Sequence, residues 1–314
     1  MYEFLTMSGS WTKDENNWTR CQTDNLSTVI TDGVTVIICL FGLVGNGIVL
    51  WFLSFHIKRT PFTVYILNLA AADFGFLLCL PGFLIAFNVK YFCFLLEGHT
   101  LINLFLLLSL LTYSTGLYLL TAISTERCLS VLYPIWHRCR RPKHLSVTVC
   151  ALLWMLSFLL SGIVSSFCFA DETEMCWDTL PPIYGLNFLI FAPILIVSNV
   201  ILFVKIRCSS QRRQQGKLFT VILLTVLFFL IFAVPLSIQY FLDLVQQNLG
   251  NEISYLLASI NSSINPIIYF LVGSYRQHRV RGFLKVALQN VFDEKADSRE
   301  DREPSRQDSV EMSM

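Results

Sequence analysis

The chain has 314 residues, of which 54% are hydrophobic and 14% charged, and its formal net charge is +1. Soluble domains carry about 25% charged residues, so one or two water-exposed domains would lack the polar groups to cover their surfaces. Ten cysteines over this length are too sparse for a disulfide-stapled secreted domain, and the mean hydropathy of +0.58 leaves a polytopic membrane protein.

Residues 1–27 are polar and are expected to form an exposed tail rather than a cleaved leader, because they hold no apolar core of about 7–15 residues. Two sequons, Asn17-Trp18-Thr19 and Asn25-Leu26-Ser27, make Asn17 and Asn25 the expected glycosylation sites. A membrane helix needs about 20 mainly apolar residues, since each backbone amide must be satisfied inside the segment. Seven stretches meet this requirement, at residues 28–55, 62–88, 97–130, 145–169, 183–206, 218–244 and 252–272. The fold class is therefore all-α, one seven-helix transmembrane bundle over residues 28–273. Lys13, Arg20 and Lys90 are the only cations on the tail and even-numbered loops, whereas the opposite face carries sixteen between Lys58 and Lys285. That bias places the N-terminus outside and the C-terminus in the cytoplasm of a plasma-membrane protein.

Some polar groups sit where a bilayer makes them costly. Asp73 lies near the middle of the second stretch, where a carboxylate costs about 2.5–3.5 kcal/mol, so it must face the bundle and find partners. Asn46, Asn261, Ser262 and Asn265 are at similar depth. Asn46, Asp73, Asn261 and Asn265 therefore form a candidate network, read either as a hydrated sodium site and switch or as an ion-free hydrogen-bond knot. Glu126-Arg127 closes the third stretch; the acid can pair locally and leave the guanidinium able to change partners. Pro235 in the sixth stretch and Pro266 in Asn265-Pro266-Ile267-Ile268-Tyr269 free backbone carbonyls and bend their helices, which makes them candidate hinges.

Past the bundle, Val280, Phe283, Leu284, Ala287, Leu288 and Val291 follow the spacing of one apolar helical face, flanked by Arg276, Arg279, Arg281 and Lys285. Residues 274–291 are expected to lie as an eighth, amphipathic helix on the anionic inner leaflet. Residues 292–314 read as a disordered cytoplasmic tail with Ser298, Ser305, Ser309 and Ser313 as candidate sites for receptor kinases and an arrestin-like partner.

Gly45-Asn46, Leu69 with Asp73, Glu126-Arg127-Cys128, Trp154, Pro235 and Asn265-Pro266-Ile267-Ile268-Tyr269 together resemble the marks of rhodopsin-like G-protein-coupled receptors. Ile57 to Leu67, Leu119 to Trp136, and Ser262 to Ser274 are more specifically similar to the Mas-related receptors. The resemblance implies a receptor that converts binding of an extracellular ligand into heterotrimeric G-protein activation. Glu126, Arg127, Pro235, Asn265, Pro266 and Tyr269 would then form the switch. Ile102 stands where most of the wider family has its outer cysteine, so the common bridge cannot form; the Mas-related resemblance implies a disulfide between Cys168 and Cys176 instead, with Cys21–Cys93 open as a second pair. Ala233 occupies the place of a common tryptophan and Gln215 that of a common acid. The resting state is therefore expected to be weakly held, with basal activity. Gly116 takes the place of a hydroxyl in the sodium constellation.

On the outer side twelve acids, from Glu3 to Glu252, face the three cations, a field that concentrates cationic ligands. A cationic peptide is the first expected ligand and a small amphipathic molecule the second. Ser109 stands where an amine receptor would need its carboxylate, and the seventh stretch has no lysine for a retinal Schiff base. Asn103, Tyr113, Tyr184, Gln239, Tyr240 and Asp243 are the candidate pocket residues, and residues 170–182 are expected to be a short outer loop. No metal ligands, cofactor or nucleic-acid partner is expected, nor an enzyme activity, because the five histidines have no metal-ligand spacing. A transporter would need several buried charges or paired broken helices. A receptor-like protein that works without its own agonist, or in heteromers, stays open.

Overall fold

Among the described residues, six long helices arise where the apolar runs demand that backbone amides pair within the segment, and a seventh, short one lies in a basic loop. The structure, a computed structural model, describes residues 26–57, 59–93, 99–170, 173–208 and 252–274. Its helices are α1 (Leu26–Phe55), α2 (Pro61–Cys93), α3 (His99–Leu132), α4 (Pro134–Cys139), α5 (Leu145–Ala170), α6 (Thr173–Cys208) and α7 (Glu252–Ser274). Thus the first five expected stretches and the seventh are helical. The sixth, with Gln215, Pro235, Gln239, Tyr240 and Asp243, lies outside the described residues, as do Asn17, Asn25 and the chain after Ser274.

The start of α2 shows how local sequence sets a boundary. The Thr60 amide donates to Thr63 Oγ1 at 2.7 Å and the Thr63 amide donates to Thr60 Oγ1 at 3.2 Å. This reciprocal cap precedes a helix that opens on Pro61, whose missing donor costs nothing in the first turn.

The long α3, with 34 residues, spans about 50 Å at 1.5 Å per residue. It packs against α2, α5 and α6, and 83% of its apolar window is buried, against 33% for α1 and 22% for α5. The third span is therefore the central post. Helices α1 and α5 are peripheral and turn Phe41, Val44, Met155 and Leu159 outward, where acyl chains accept them. Between the layers, Leu69, Leu77, Leu110, Leu117 and Tyr269 form part of one continuous core. Trp154 of α5 donates its indole N–H to Asn68 of α2 at 3.1 Å.

Two features differ from the sequence expectation. Helix α6 begins at Thr173 rather than near residue 183, so helix replaces most of the expected outer loop. The helix runs on through Pro181-Pro182, each of which takes away one backbone donor and crowds the carbonyl four residues before it; Glu174, in the first turn, suits the positive end of the helix. The second feature is α4, a six-residue helix in the basic loop. It opens on Pro134, whose fixed φ suits a first helical turn.

Candidate functional site

The first cluster lies between α1, α2 and α7. Asn265 Nδ2 donates to Asp73 Oδ2 at 2.7 Å, and the Ser262 hydroxyl also bonds this carboxylate. Asn46 Nδ2 donates to the carbonyls of Gly42 and Ser262, each at 3.0 Å. Asn46, Asp73, Asn261 and Asn265 are all buried, so all four expected network residues face the bundle. Asn46 Oδ1 and Asn265 Oδ1 are buried with no hydrogen-bond donor. Two such acceptors beside a carboxylate are what a hydrated cation or water would fill. A Cβ added to Gly116 would lie 3.9 Å from Asp73 Oδ1, so position 116 borders the carboxylate without offering it an oxygen.

Close approach of α1 to α7 makes this cluster. A Cβ on Gly42 would strike Ser263 and Leu77, and one on Gly45 would lie 3.2 Å from the Pro266 ring. The Ser263 hydroxyl closes the seam by donating to the Ile38 carbonyl at 3.2 Å. Tyr269, one turn beyond Pro266, is buried in the core.

The second cluster lies at the basic end of α3. Glu126 finds partners in the basic loop: its Oε1 accepts from Arg141 Nε at 2.5 Å, and His137 Nε2 lies 3.2 Å from the same oxygen. The Arg127 guanidinium sits over the Phe62 ring, 4.1 Å from its centroid, an attraction of about 0.5–2 kcal/mol. A cavity of about 70 Å³ opens beside these groups, walled in part by Phe62, Tyr65, Ile123 and Arg127. Arg141 and His137 entered the sequence reading only as a loop cation and a non-ligand histidine. Their link to Glu126 depends on how the loop folds.

A third cluster carried no sequence signal beyond one amide in an apolar run. Tyr118 Oη donates to Asn187 Oδ1, and Asn187 Nδ2 donates to Ser114 Oγ at 2.9 Å, joining α3 to α6. All three residues are buried, and the Tyr118 ring lies 4.1 Å from that of Phe191. Tyr118→Phe keeps the ring but leaves the Asn187 carbonyl without its donor, which costs about 1–3 kcal/mol. The expected result is a lower thermal midpoint in detergent; an unchanged midpoint would show that the bond contributes nothing.

At the opposite end, Asn103 is half-buried, and Tyr113 is buried with its ring 5.9 Å from Phe76. The Ser109 hydroxyl turns back to the Phe105 carbonyl at 2.8 Å. Tyr184 and Cys176 fall in α6 and Cys168 in α5, but their side chains lie outside the described residues. Among the described residues the candidate pocket is thus represented by Asn103 and Tyr113.

Residues 45–269 match the family profile described as 7 transmembrane receptor (rhodopsin family). Among curated proteins the chain is similar to Mas-related G-protein coupled receptor member H of Rattus norvegicus. The two are 43% identical over 294 residues, covering 90% of this chain and 89% of the relative. It is similar also to Proto-oncogene Mas of Homo sapiens, 45% identical over 276 residues, covering 85% and 82%. Mas-related G-protein coupled receptor member D of Homo sapiens is 41% identical over 298 residues, covering 89% of each.

Proposed function

This chain belongs to the rhodopsin-like G-protein-coupled receptors, among Mas and the Mas-related receptors, and from that premise we propose how it signals. It is a multi-pass membrane receptor and not an enzyme. It resides in the plasma membrane with its N-terminus outside, and an extracellular ligand drives it to activate a heterotrimeric G protein. The observation that carries this reading is the placement of Glu126 and Arg127 at the basic end of the most buried helix. A guanidinium there, lying over the Phe62 ring beside a cavity, is able to exchange partners when the helices shift. Anionic lipid and the G protein both suit the basic face, and kinases with an arrestin-like partner suit the serine-bearing tail. The acidic outer face favours a cationic peptide over a small amphipathic molecule. Glycosylation at Asn17 and Asn25 and the Cys168–Cys176 disulfide complete that face.

The Asp73 cluster is the hinge of the switch. Asn265, beside Pro266 within the helix, ties α7 to α2 through Asp73, so a change in the carboxylate's environment changes how α7 is held. The buried Asn46 and Asn265 oxygens fit a hydrated sodium ion beside Asp73. Sodium is therefore expected to lower agonist affinity in the wild type relative to an organic cation, and Asp73→Asn is expected to remove that difference. The check is radioligand competition in both salts. Sodium sensitivity that survives Asp73→Asn would leave the cluster as an ion-free hydrogen-bond knot.

The test of the reading as a whole is calcium and cyclic AMP recording in mammalian cells. Basal signals and responses to a panel of basic peptides would be measured. A response above untransfected cells is expected. Silence with normal surface delivery would favour a receptor-like protein that works in heteromers.

A further inference from the structure

Arg141 ties three helices together from within the basic loop. Its Nε donates to Glu126 of α3, and its Nη2 donates to Ser146 Oγ in the first turn of α5. Ser146 in turn hydrogen-bonds the Tyr65 hydroxyl of α2. The Arg141 side chain is 6% exposed and that of Glu126 16%, so the pair is largely withdrawn from water, where losing one partner strands the other's charge. His137 of α4 lies against the same Glu126 oxygen, which fixes the short loop helix over the end of α3. Beside this junction the cavity at Phe62 and Arg127 gives the Arg127 side chain room to change partners once the loop moves.

We propose that Arg141 is a positioning residue: through Glu126 it clamps α4 and the basic loop onto α3 and so restrains signalling at Arg127. This rests on the receptor reading above. The clamp supplies a restraint from the loop between α3 and α5, whereas the partner position expected from sequence at Gln215 lies outside the described residues. It predicts a low basal activity that is released when the clamp is cut.

The experiment uses the full chain in lipid nanodiscs and measures agonist-free nucleotide exchange on purified heterotrimers. In parallel, an environment-sensitive bimane is placed on Cys139, which is exposed at the end of α4, with other reactive cysteines replaced. Arg141→Gln is expected to raise basal exchange about tenfold, as coupled charge pairs in contact allow, and to shift the bimane emission. Arg141→Lys, which keeps the charge, is expected to retain most of the restraint. Ser146→Ala, a milder cut at the far anchor, is expected to raise exchange about threefold. Arg141→Gln added to Glu126→Gln is expected to give no more than either alone. Wild-type exchange in Arg141→Gln, or full additivity with Glu126→Gln, would overturn the proposal. If no form of the protein activates any heterotrimer, the receptor reading fails. The emission then decides the clamp by itself, and an unchanged spectrum in Arg141→Gln overturns it.

Discussion

Alanine at position 127 is expected to abolish second-messenger signalling, a loss of at least about tenfold, while surface delivery and ligand affinity stay near wild type. The reason is what the guanidinium does in the resting bundle. It lies over Phe62, a contact of about 0.5–2 kcal/mol that the substitution gives up, so the comparison is made at matched surface expression. What it removes is a guanidinium on α3 itself that stays charged under all conditions and can donate in several directions at once. Arg127→Lys is expected to fall short of rescue, because a point charge does not reproduce the planar fork. Basal and agonist-stimulated calcium and cyclic AMP at matched surface expression check this. Wild-type signalling by the alanine variant would place the switch elsewhere.

A second large effect is expected at Gly42. A Cβ there meets Ser263 of α7 and Leu77 of α2, and the collision includes the Ser263 Cβ, which no rotamer change moves aside. Overpacking of this kind costs about 1–3 kcal/mol, while the gain in helix propensity from replacing glycine returns at most about 1 kcal/mol. Gly42→Val is therefore expected to lower the thermal midpoint and surface yield. The same spacing carries Asn46 to the Ser262 carbonyl, so agonist affinity is expected to fall as well. Cys39, Cys79, Cys128 and Cys150 are buried, which lets a thiol-reactive dye report unfolding. Gly33→Ala and Gly162→Ala have nothing within 4 Å of the new atom and are expected to leave the midpoint unchanged or slightly raised. Equal midpoints for the Gly42 and Gly33 variants would mean that the α1–α7 seam is not tight.

How much of this was legible depends on whether the responsible physics is local. The six described spans were, because a bilayer forces every backbone amide to pair within its own segment; α3 at His99–Leu132 lies within two residues of the stretch at 97–130. Helix α4 was not, since six residues opening on a proline carry no periodic signal. The upstream part of α6 read as a loop because acids and Pro181-Pro182 are the usual composition of one. Asp73 and Asn265 stood out as polar groups in apolar runs, and the seventh-span partner was foreseeable because few groups share that depth. Glu126 was different. Its adjacency to Arg127 suggested a local pair, whereas Arg141, fifteen residues on, reaches it only because the loop turns back beneath α3. Tyr118 and Asn187 were missed for a related reason: spacing alone does not say which faces of two helices meet.

The most direct measurement is agonist-free and peptide-stimulated nucleotide exchange by a panel of purified heterotrimers, with the wild-type chain in lipid nanodiscs. The receptor reading predicts exchange faster than with empty nanodiscs for at least one heterotrimer, and a return to the empty-nanodisc rate with Arg127→Ala. Exchange indistinguishable from empty nanodiscs across the whole panel, from protein that still melts cooperatively, would contradict it.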